Sequence, residues 1–179
     1  HVPFCASKCG YCDFYSRVRR DQMEGYLDAL EREIAGWKHR GLKADTVFFG
    51  GGTPSLLTSA QLERVMNAVR ENFELLPGAE ITMEANPETV DTASLKAAYQ
   101  LGINRLSYGV QSAVDNELKA LGRKHTFARA VQAVLEAREA GFSNISLDLM
   151  LGIPYQTAES LQTTLTEILA LAPQHISCY

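Results

Sequence analysis

Three of the four cysteines lie close together at the start of the chain, in the segment HVPFCASKCGYCDFYS. Cys5, Cys9 and Cys12 follow the spacing CxxxCxxC, and Phe14 stands two residues after the third cysteine. Thiolates are good ligands for zinc and for iron-sulfur clusters. With His1 they could form a Cys3His zinc site, although zinc sites usually combine a CxxC unit with a second pair of ligands some distance away.

An iron-sulfur cluster fits this compact triple better. Cubane clusters are usually held by four thiolates, so three thiolates leave one iron without a protein ligand. A small molecule with an amine and a carboxylate can chelate that iron, and S-adenosylmethionine is the cofactor whose radical chemistry is paired with such clusters. The cysteine pattern therefore favours a [4Fe-4S] cluster with S-adenosylmethionine, while zinc stays open at this point.

The remaining sequence alternates strand-like and helical segments. We expect helices at residues 21–41, 58–73, 91–101, 112–121, 126–140 and 158–172, and strands at HVPFC, DTVFF, EITMEA, NRLSYGVQ, NISLDL and QHISCY. This rhythm, with a period of about 30 residues, is typical of right-handed βαβ units that form a parallel sheet. The sequence predicts one α/β domain over residues 1–179.

Glycine-rich and polar residues follow the carboxyl ends of these strands, where ligands bind in parallel α/β folds. They are Gly50, Gly51, Gly52 and Thr53 after the second strand, Glu84 after the third, Gln111 after the fourth, and Asp148 and Gly152 after the fifth. We therefore expect one site built from several separate segments.

Ordinary structural roles stay open for each residue at this stage. The glycines could form a flexible turn, Glu84 and Asp148 could belong to structural pairs, and Arg123 could cap a helix end. Periodicity predicts that Trp37 lies in the core, and we expect Cys178 to be buried. We expect solvated positions for the histidines His39, His125 and His175 and for the basic run from Arg17 to Arg20.

Composition excludes several classes of protein. A formal net charge of -4 without a large basic cluster argues against a nucleic acid partner. No segment approaches the roughly 18 consecutive apolar residues of a membrane span, and no leader is recognisable. We expect a soluble, cytosolic protein in a reducing compartment. The chain begins at His1 without a methionine and stops in an uncapped apolar run, so we expect the core of a longer protein.

Several longer stretches resemble the radical S-adenosylmethionine (SAM) superfamily, in particular its oxygen-independent coproporphyrinogen III oxidase-like branch. They are HVPFCxxxCxYCDF, FFGGGTPSLL, MEANPETV, LSYGVQS, LGRKH and LDLMLGIPYQT. The resemblance implies a partial (β/α)6 barrel of parallel strands with the cofactor site at their carboxyl ends. It also implies that Cys5, Cys9 and Cys12 ligate a [4Fe-4S] cluster, and that S-adenosylmethionine is contacted by Tyr11, Gly51, Gly52, Thr53, Glu84, Gln111, Arg123 and Asp148.

The branch that this sequence resembles contains both an enzyme, the coproporphyrinogen III dehydrogenase, and a carrier of heme. Coproporphyrinogen III dehydrogenases of this branch carry CxxxCxxCxC and decarboxylate propionate side chains oxidatively, but Phe14 occupies the place of the fourth cysteine. That change, and the sequence GRKH, are closer to the heme chaperones of the branch. The resemblance then implies heme or porphyrin as cargo, an electron donor for the cluster, and heme-acceptor proteins as partners. The dehydrogenase is the alternative, and His125 is one candidate heme ligand.

Overall fold

The computed structural model describes all 179 residues and contains one sheet of five parallel strands. Each strand pairs with the next one along the chain, so the sheet winds in one direction as half of a β/α barrel. The strands are β1 (Lys43–Phe49), β2 (Glu74–Ala85), β3 (Arg105–Gln111), β4 (Asn144–Leu149) and β5 (His175–Cys178). The predicted α/β class with a partial parallel barrel is confirmed.

The first helix precedes β1, and the other helices connect successive strands. They are α1 (Met23–Ala35), α2 (Ser59–Asn72), α3 (Thr92–Gln100), α4 (Asp115–Ala120), α5 (Phe127–Glu139) and α6 (Ala158–Ala170). Three of them begin with a capping box, in which the side chains of Thr58, Asp91 and Thr157 accept hydrogen bonds from the third residue of the helix. None of these helices has the length and the apolar character that a membrane span requires.

Helix α1 is shorter than predicted. Asp21 does not cap it, because its carboxylate instead pairs with Arg19 at 2.8 Å. The helix ends at Ala35, so Trp37 lies beyond the periodic stretch and is 46% exposed, with the Arg40 guanidinium 5.6 Å from its ring centroid. The predicted core position of Trp37 is wrong, since helical periodicity does not extend to it.

The first predicted strand, HVPFC, is not a strand of the sheet. Val2 forms an isolated parallel bridge with Gly51, and Phe4 forms another with Arg17. One side of this segment contacts the glycine loop that follows β1, and its other side contacts the backbone at Arg17. Each contact is a bridge between single residues, so no continuous strand forms. The sheet therefore has five strands where six were predicted.

The core lies between the sheet and the helices. Alternate residues of β3 and β4 lie on the face of the sheet that packs in the core and have no exposed surface: Leu106, Tyr108, Val110, Ile145, Leu147 and Leu149. Strand β5 is different because it lies at the edge of the sheet and pairs only with β4. Cys178 on this strand is exposed, so its predicted burial is wrong.

Candidate cofactor site

A cavity of about 490 Å³ lies at the carboxyl ends of the strands. Its walls include Cys5, Cys9 and Cys12, and every residue that the sequence predicted as a cofactor contact: Tyr11, Gly51, Gly52, Thr53, Glu84, Gln111, Arg123 and Asp148. The structure therefore brings these residues together around one space. Their binding roles stay predictions.

The glycines after β1 allow the cysteine segment to approach the sheet. Val2 N–H donates to the Gly50 carbonyl at 2.7 Å, and Gly52 N–H donates to the Val2 carbonyl at 2.8 Å. A Cβ on Gly52 would lie 2.6 Å from the Phe4 carbonyl oxygen, which is closer than real Cβ atoms come, and 3.0 Å from Cys5 Sγ. Gly51 has φ 124°, a conformation that side chains rarely adopt. The glycines are therefore needed for close contact, which a flexible turn would not require.

The cysteine loop, residues 5–17, is closed mainly by backbone hydrogen bonds between its two ends. Cys5 N–H donates to the Arg17 carbonyl at 3.0 Å, and Arg17 N–H donates to the Pro3 carbonyl at 2.8 Å. Within the loop, Lys8 Nζ donates to the Phe14 carbonyl at 2.6 Å. Thr53 Oγ1 donates to Cys5 Sγ at 3.6 Å, a contact that orients this thiol beside the glycine loop.

The three thiols fit a cluster better than a single ion. All are free and border the cavity, but no three metal-ligating side chains are grouped to hold one metal ion. The thiolates of a cubane bind different irons, so they need to surround a volume instead of meeting at a point. His1, which a Cys3His zinc site would need, lines a separate surface hollow with Tyr26 and Trp37.

Arg123 connects three parts of the cavity wall. Its Nη2 donates to Asn86 Oδ1 at 2.6 Å and to the Gly109 carbonyl at 2.7 Å. Its Nη1 lies 3.5 Å from the Tyr11 hydroxyl and 3.9 Å from Cys9 Sγ. The buried Nε has no hydrogen-bond partner within the protein. These contacts rule out a simple helix-capping role and place a positive charge beside a cysteine.

Three carboxylates line the cavity, and the two half-buried ones, Glu84 and Asp148, have no cationic side chain at ion-pair distance. Glu84 accepts the Gly51 N–H at 2.9 Å, and Asp148 accepts the Ser107 hydroxyl at 3.2 Å. Burial raises the pKa of each carboxyl group, and the charge of Asp148 adds to the effect on Glu84. A positively charged ligand would offset this cost, so the acids fit a cation such as S-adenosylmethionine.

Gln111 occupies a strained position at the end of β3. It is buried, with a positive φ of 72°, and the pairing of β3 with β4 is irregular between Gly109 and Gln111. Its carbonyl accepts the Met150 N–H at 3.0 Å. Left-handed backbone at a residue other than glycine costs about 1–3 kcal/mol and often occurs at ligand sites. The bulge aims this amide into the cavity.

Sequence reasoning missed several residues of the cavity wall, among them Asn86, Ser107 and Gly109. Asn86 Nδ2 donates to Thr53 Oγ1 at 3.1 Å while its Oδ1 accepts from Arg123, so it links the two sides of the site. A Cβ on Gly109 would lie 2.9 Å from Gln111 Nε2 and 3.2 Å from Arg123 Nη2. For Gly109 the available signal was a glycine inside a strand, since it often marks close approach.

His125 is not the solvated loop residue that the sequence predicted. Its side chain has 0% exposure, with Nδ1 3.2 Å from Glu88 Oε2 and Nε2 3.3 Å from the Val110 carbonyl oxygen. Because both ring nitrogens already have partners, His125 is not available as a heme ligand in this arrangement.

Known proteins with similar sequences and structures indicate the family of this chain. The chain is 44% identical to the heme chaperone HemW of Synechocystis sp. and 39% identical to that of Bacillus subtilis, over its whole length in both cases. It covers 45% and 48% of those proteins, so it spans about half the length of the curated relatives it matches. The solved structure of the Escherichia coli coproporphyrinogen III oxidase HemN, a radical SAM enzyme, matches all of the chain with a TM-score of 0.90 and 33% identity, over 43% of its own length.

The sequence pattern of a single superfamily covers residues 1–168, from the cysteine loop to α6. This span includes the glycine loop, Glu84, Asp148 and Arg123. The chain therefore belongs to the radical SAM superfamily.

Proposed function

We propose that this chain is the cofactor-binding core of a heme chaperone, a protein that binds heme and S-adenosylmethionine and delivers heme to acceptor proteins. The observation that carries the proposal is the similarity along the entire chain to HemW proteins, at 44% identity in one case against 33% for HemN. Phe14, where the dehydrogenase pattern has a fourth cysteine, supports the same choice.

Membership of the superfamily implies a [4Fe-4S] cluster and S-adenosylmethionine as cofactors. We assign Cys5, Cys9 and Cys12 as the cluster ligands, and the bound group would supply one-electron chemistry. The protein's own part is to hold the three thiols around one volume and to exclude water from it. Backbone at Gly51 and Gly52 allows close approach of a ligand, because no side chain intervenes.

The cavity carboxylates would receive the cationic part of S-adenosylmethionine. Burial raises the pKa of Glu84 and of Asp148, so each holds its proton more readily before a cation arrives. A nearby positive charge lowers both pKa values again and stabilises the ionised forms. Arg123 and Tyr11 would contact the same ligand from the side of Cys9.

The cargo and partners follow from the proposed class of protein. They are heme or another porphyrin, an electron donor for the cluster, and heme-acceptor proteins. The cytosolic location stays a prediction from the cysteine pattern. Oxidative decarboxylation of coproporphyrinogen is the second candidate function, and it has the support of the fold that this chain shares with HemN.

Anaerobic reconstitution with iron and sulfide tests the cofactor assignment. We expect a brown protein whose reduced form shows a cubane electron paramagnetic resonance signal that S-adenosylmethionine perturbs. Cys9→Ser should abolish cluster uptake. Cys178→Ser is the matched control and should retain it, because Cys178 is exposed and does not line the cavity. Stable zinc binding with no cluster signal would overturn the assignment.

The full-length protein decides between chaperone and dehydrogenase. We expect it to take up heme, detected by a shift of the Soret band, and to release heme to an apo-acceptor. Supplied with coproporphyrinogen III, reductant and S-adenosylmethionine, it should form no protoporphyrinogen. Conversion of the porphyrinogen without heme uptake would contradict the chaperone proposal.

A further inference from the structure

A buried histidine and a glutamate lie next to the cavity without lining it. The side chain of His125 has no exposed surface, and that of Glu88 is one quarter exposed, at 25%. His125 Nδ1 lies 3.2 Å from Glu88 Oε2, and Nε2 lies 3.3 Å from the Val110 carbonyl oxygen. The pair is therefore a polar contact inside an otherwise packed region.

Counting protons on this pair restricts its charge. A neutral imidazole has one N–H donor and one acceptor, whereas here both ring nitrogens face oxygen atoms. The Val110 carbonyl can only accept, so Nε2 must carry a proton. The contact between Nδ1 and Glu88 then needs one more proton, which lies either on the ring or on the carboxyl group.

The surroundings favour the proton on the ring. Burial acts to raise the pKa of Glu88, but the hydrogen bond with His125, a hydrogen bond from the backbone and the nearby Arg123 charge together outweigh it, so the pKa of Glu88 is lowered. An ionised Glu88 leaves the second proton on His125. Arg123 is the further charged group that acts on this carboxylate.

The three groups belong to three segments that each carry a residue of the cavity wall. Glu88 lies in the single turn Pro87–Thr89, directly after Asn86. Val110 lies between Gly109 and Gln111 in β3. His125 follows Arg123 by two residues in the loop before α5.

We propose that His125 and Glu88 form a buried imidazolium–carboxylate clamp that positions Arg123 and Asn86 for the bound S-adenosylmethionine. The part that concerns this ligand rests on the proposed function, whereas the charged clamp is a property of the protein alone. His125 and Glu88 act as positioning residues, because the hydrogen bond between the cavity-lining residues Arg123 and Asn86, from Nη2 to Oδ1, joins the segments that they hold.

Nuclear magnetic resonance of the protein without cofactors tests the clamp directly. In protein labelled with ¹⁵N-histidine, we expect one histidine to carry protons on both ring nitrogens at neutral pH, and His125→Gln should remove that signal. Glu88→Gln should convert it to a neutral ring protonated at Nε2, since a glutamine amide can donate to Nδ1. His39→Asn is the control, because His39 is exposed and should leave the signal unchanged. A singly protonated His125 in the wild-type protein would overturn the proposal.

Ligand binding to the reconstituted protein tests the positioning role. We expect Glu88→Gln to weaken S-adenosylmethionine binding by about tenfold, the scale seen when supporting residues of a site are removed. Cluster content and thermal unfolding should stay near wild type, since this variant keeps the shape of the pair. Unchanged affinity in Glu88→Gln would contradict positioning by the charged pair. If wild-type protein bound no S-adenosylmethionine, the proposed function would fail, while the resonance result would still decide the clamp.

Discussion

Two walls of the cavity are held in place by different kinds of interaction. The cysteine wall, residues 5–17, is closed by backbone hydrogen bonds at its base and by Lys8, and its Phe14 side chain is 69% exposed. The strand wall, formed by β3, β4 and Arg123, stands on fully buried side chains such as Leu106 and Leu147.

This difference indicates which part of the site is formed before any cofactor binds. The strand wall owes its shape to the core and to the contacts of Arg123 with Asn86 and Gly109. The cysteine wall has little core of its own and depends on a close backbone fit to Gly52. We therefore expect cofactor binding to stabilise the cysteine wall more than the strand wall.

Removing core volume under the strand wall should have the largest effect and disturb both walls. Leu147→Ala deletes a fully buried side chain, so we expect a loss of about 2–5 kcal/mol in the free energy of unfolding, measured by urea denaturation. Leu169→Ala is the matched control, because Leu169 is 62% exposed and should change stability by about 0.5 kcal/mol or less. A small effect of Leu147→Ala would show that the strand wall does not depend on core packing, which is the difference proposed between the two walls.

Adding a methyl group at the glycine loop should affect the cysteine wall alone. Gly52→Ala places a Cβ 2.6 Å from the Phe4 carbonyl oxygen, so we expect a stability loss of about 1–3 kcal/mol and strongly reduced iron incorporation. Gly25→Ala is the control, because Gly25 lies in α1 with no atom within 4 Å of the added Cβ. That change should stabilise the protein by about 0.5–1 kcal/mol. Normal cluster content in Gly52→Ala would show that the close fit is dispensable.

Neutralising an acid on the strand wall should stabilise the protein and weaken ligand binding. Because burial raises the pKa of Asp148 in the folded state, ionisation of this group costs stability above the pKa of the unfolded chain. Asp148→Asn should therefore raise the thermal midpoint at neutral pH, with a gain of about 1 kcal/mol or less in the free energy of unfolding, since the group is partly screened by solvent. The difference from wild type should shrink as the pH falls through the folded-state pKa and vanish below about 3.9, the ordinary pKa of aspartate.

The same variant should bind S-adenosylmethionine more weakly, which equilibrium dialysis of reconstituted protein would measure. Stabilisation without weaker binding would indicate that Asp148 does not contact the cation. A midpoint that falls at neutral pH would contradict the sign of the pKa shift.

Changing the exposed residue on the cysteine wall should have the smallest effect. Phe14→Cys restores the CxxxCxxCxC spacing, but the side chain is mostly in solvent, so we expect a stability change within about 0.5 kcal/mol. Iron content should stay the same, and porphyrinogen conversion should stay absent. Acquisition of that activity would show that position 14 alone separates the two functions.

The sequence determined the parts of this protein that depend on local patterns. Thr58 with Gln61 marked the start of α2, and alternating strand and helix segments marked a parallel α/β fold, because capping and periodicity act over a few residues. The topology rule for parallel sheets then predicted that Glu84 and Asp148 share one edge, and both line the cavity.

Only the tertiary structure decided what covers the ends of these elements. Periodicity cannot say that Trp37 lies past its helix, that Cys178 lies on an edge strand, or that HVPFC pairs with a glycine loop. The contacts of Arg123 with Asn86 and of His125 with Glu88 each join residues 37 positions apart. Such contacts form when separate βα units pack side by side, so no local sequence pattern predicts them. They nevertheless determine the shape and charge of the site.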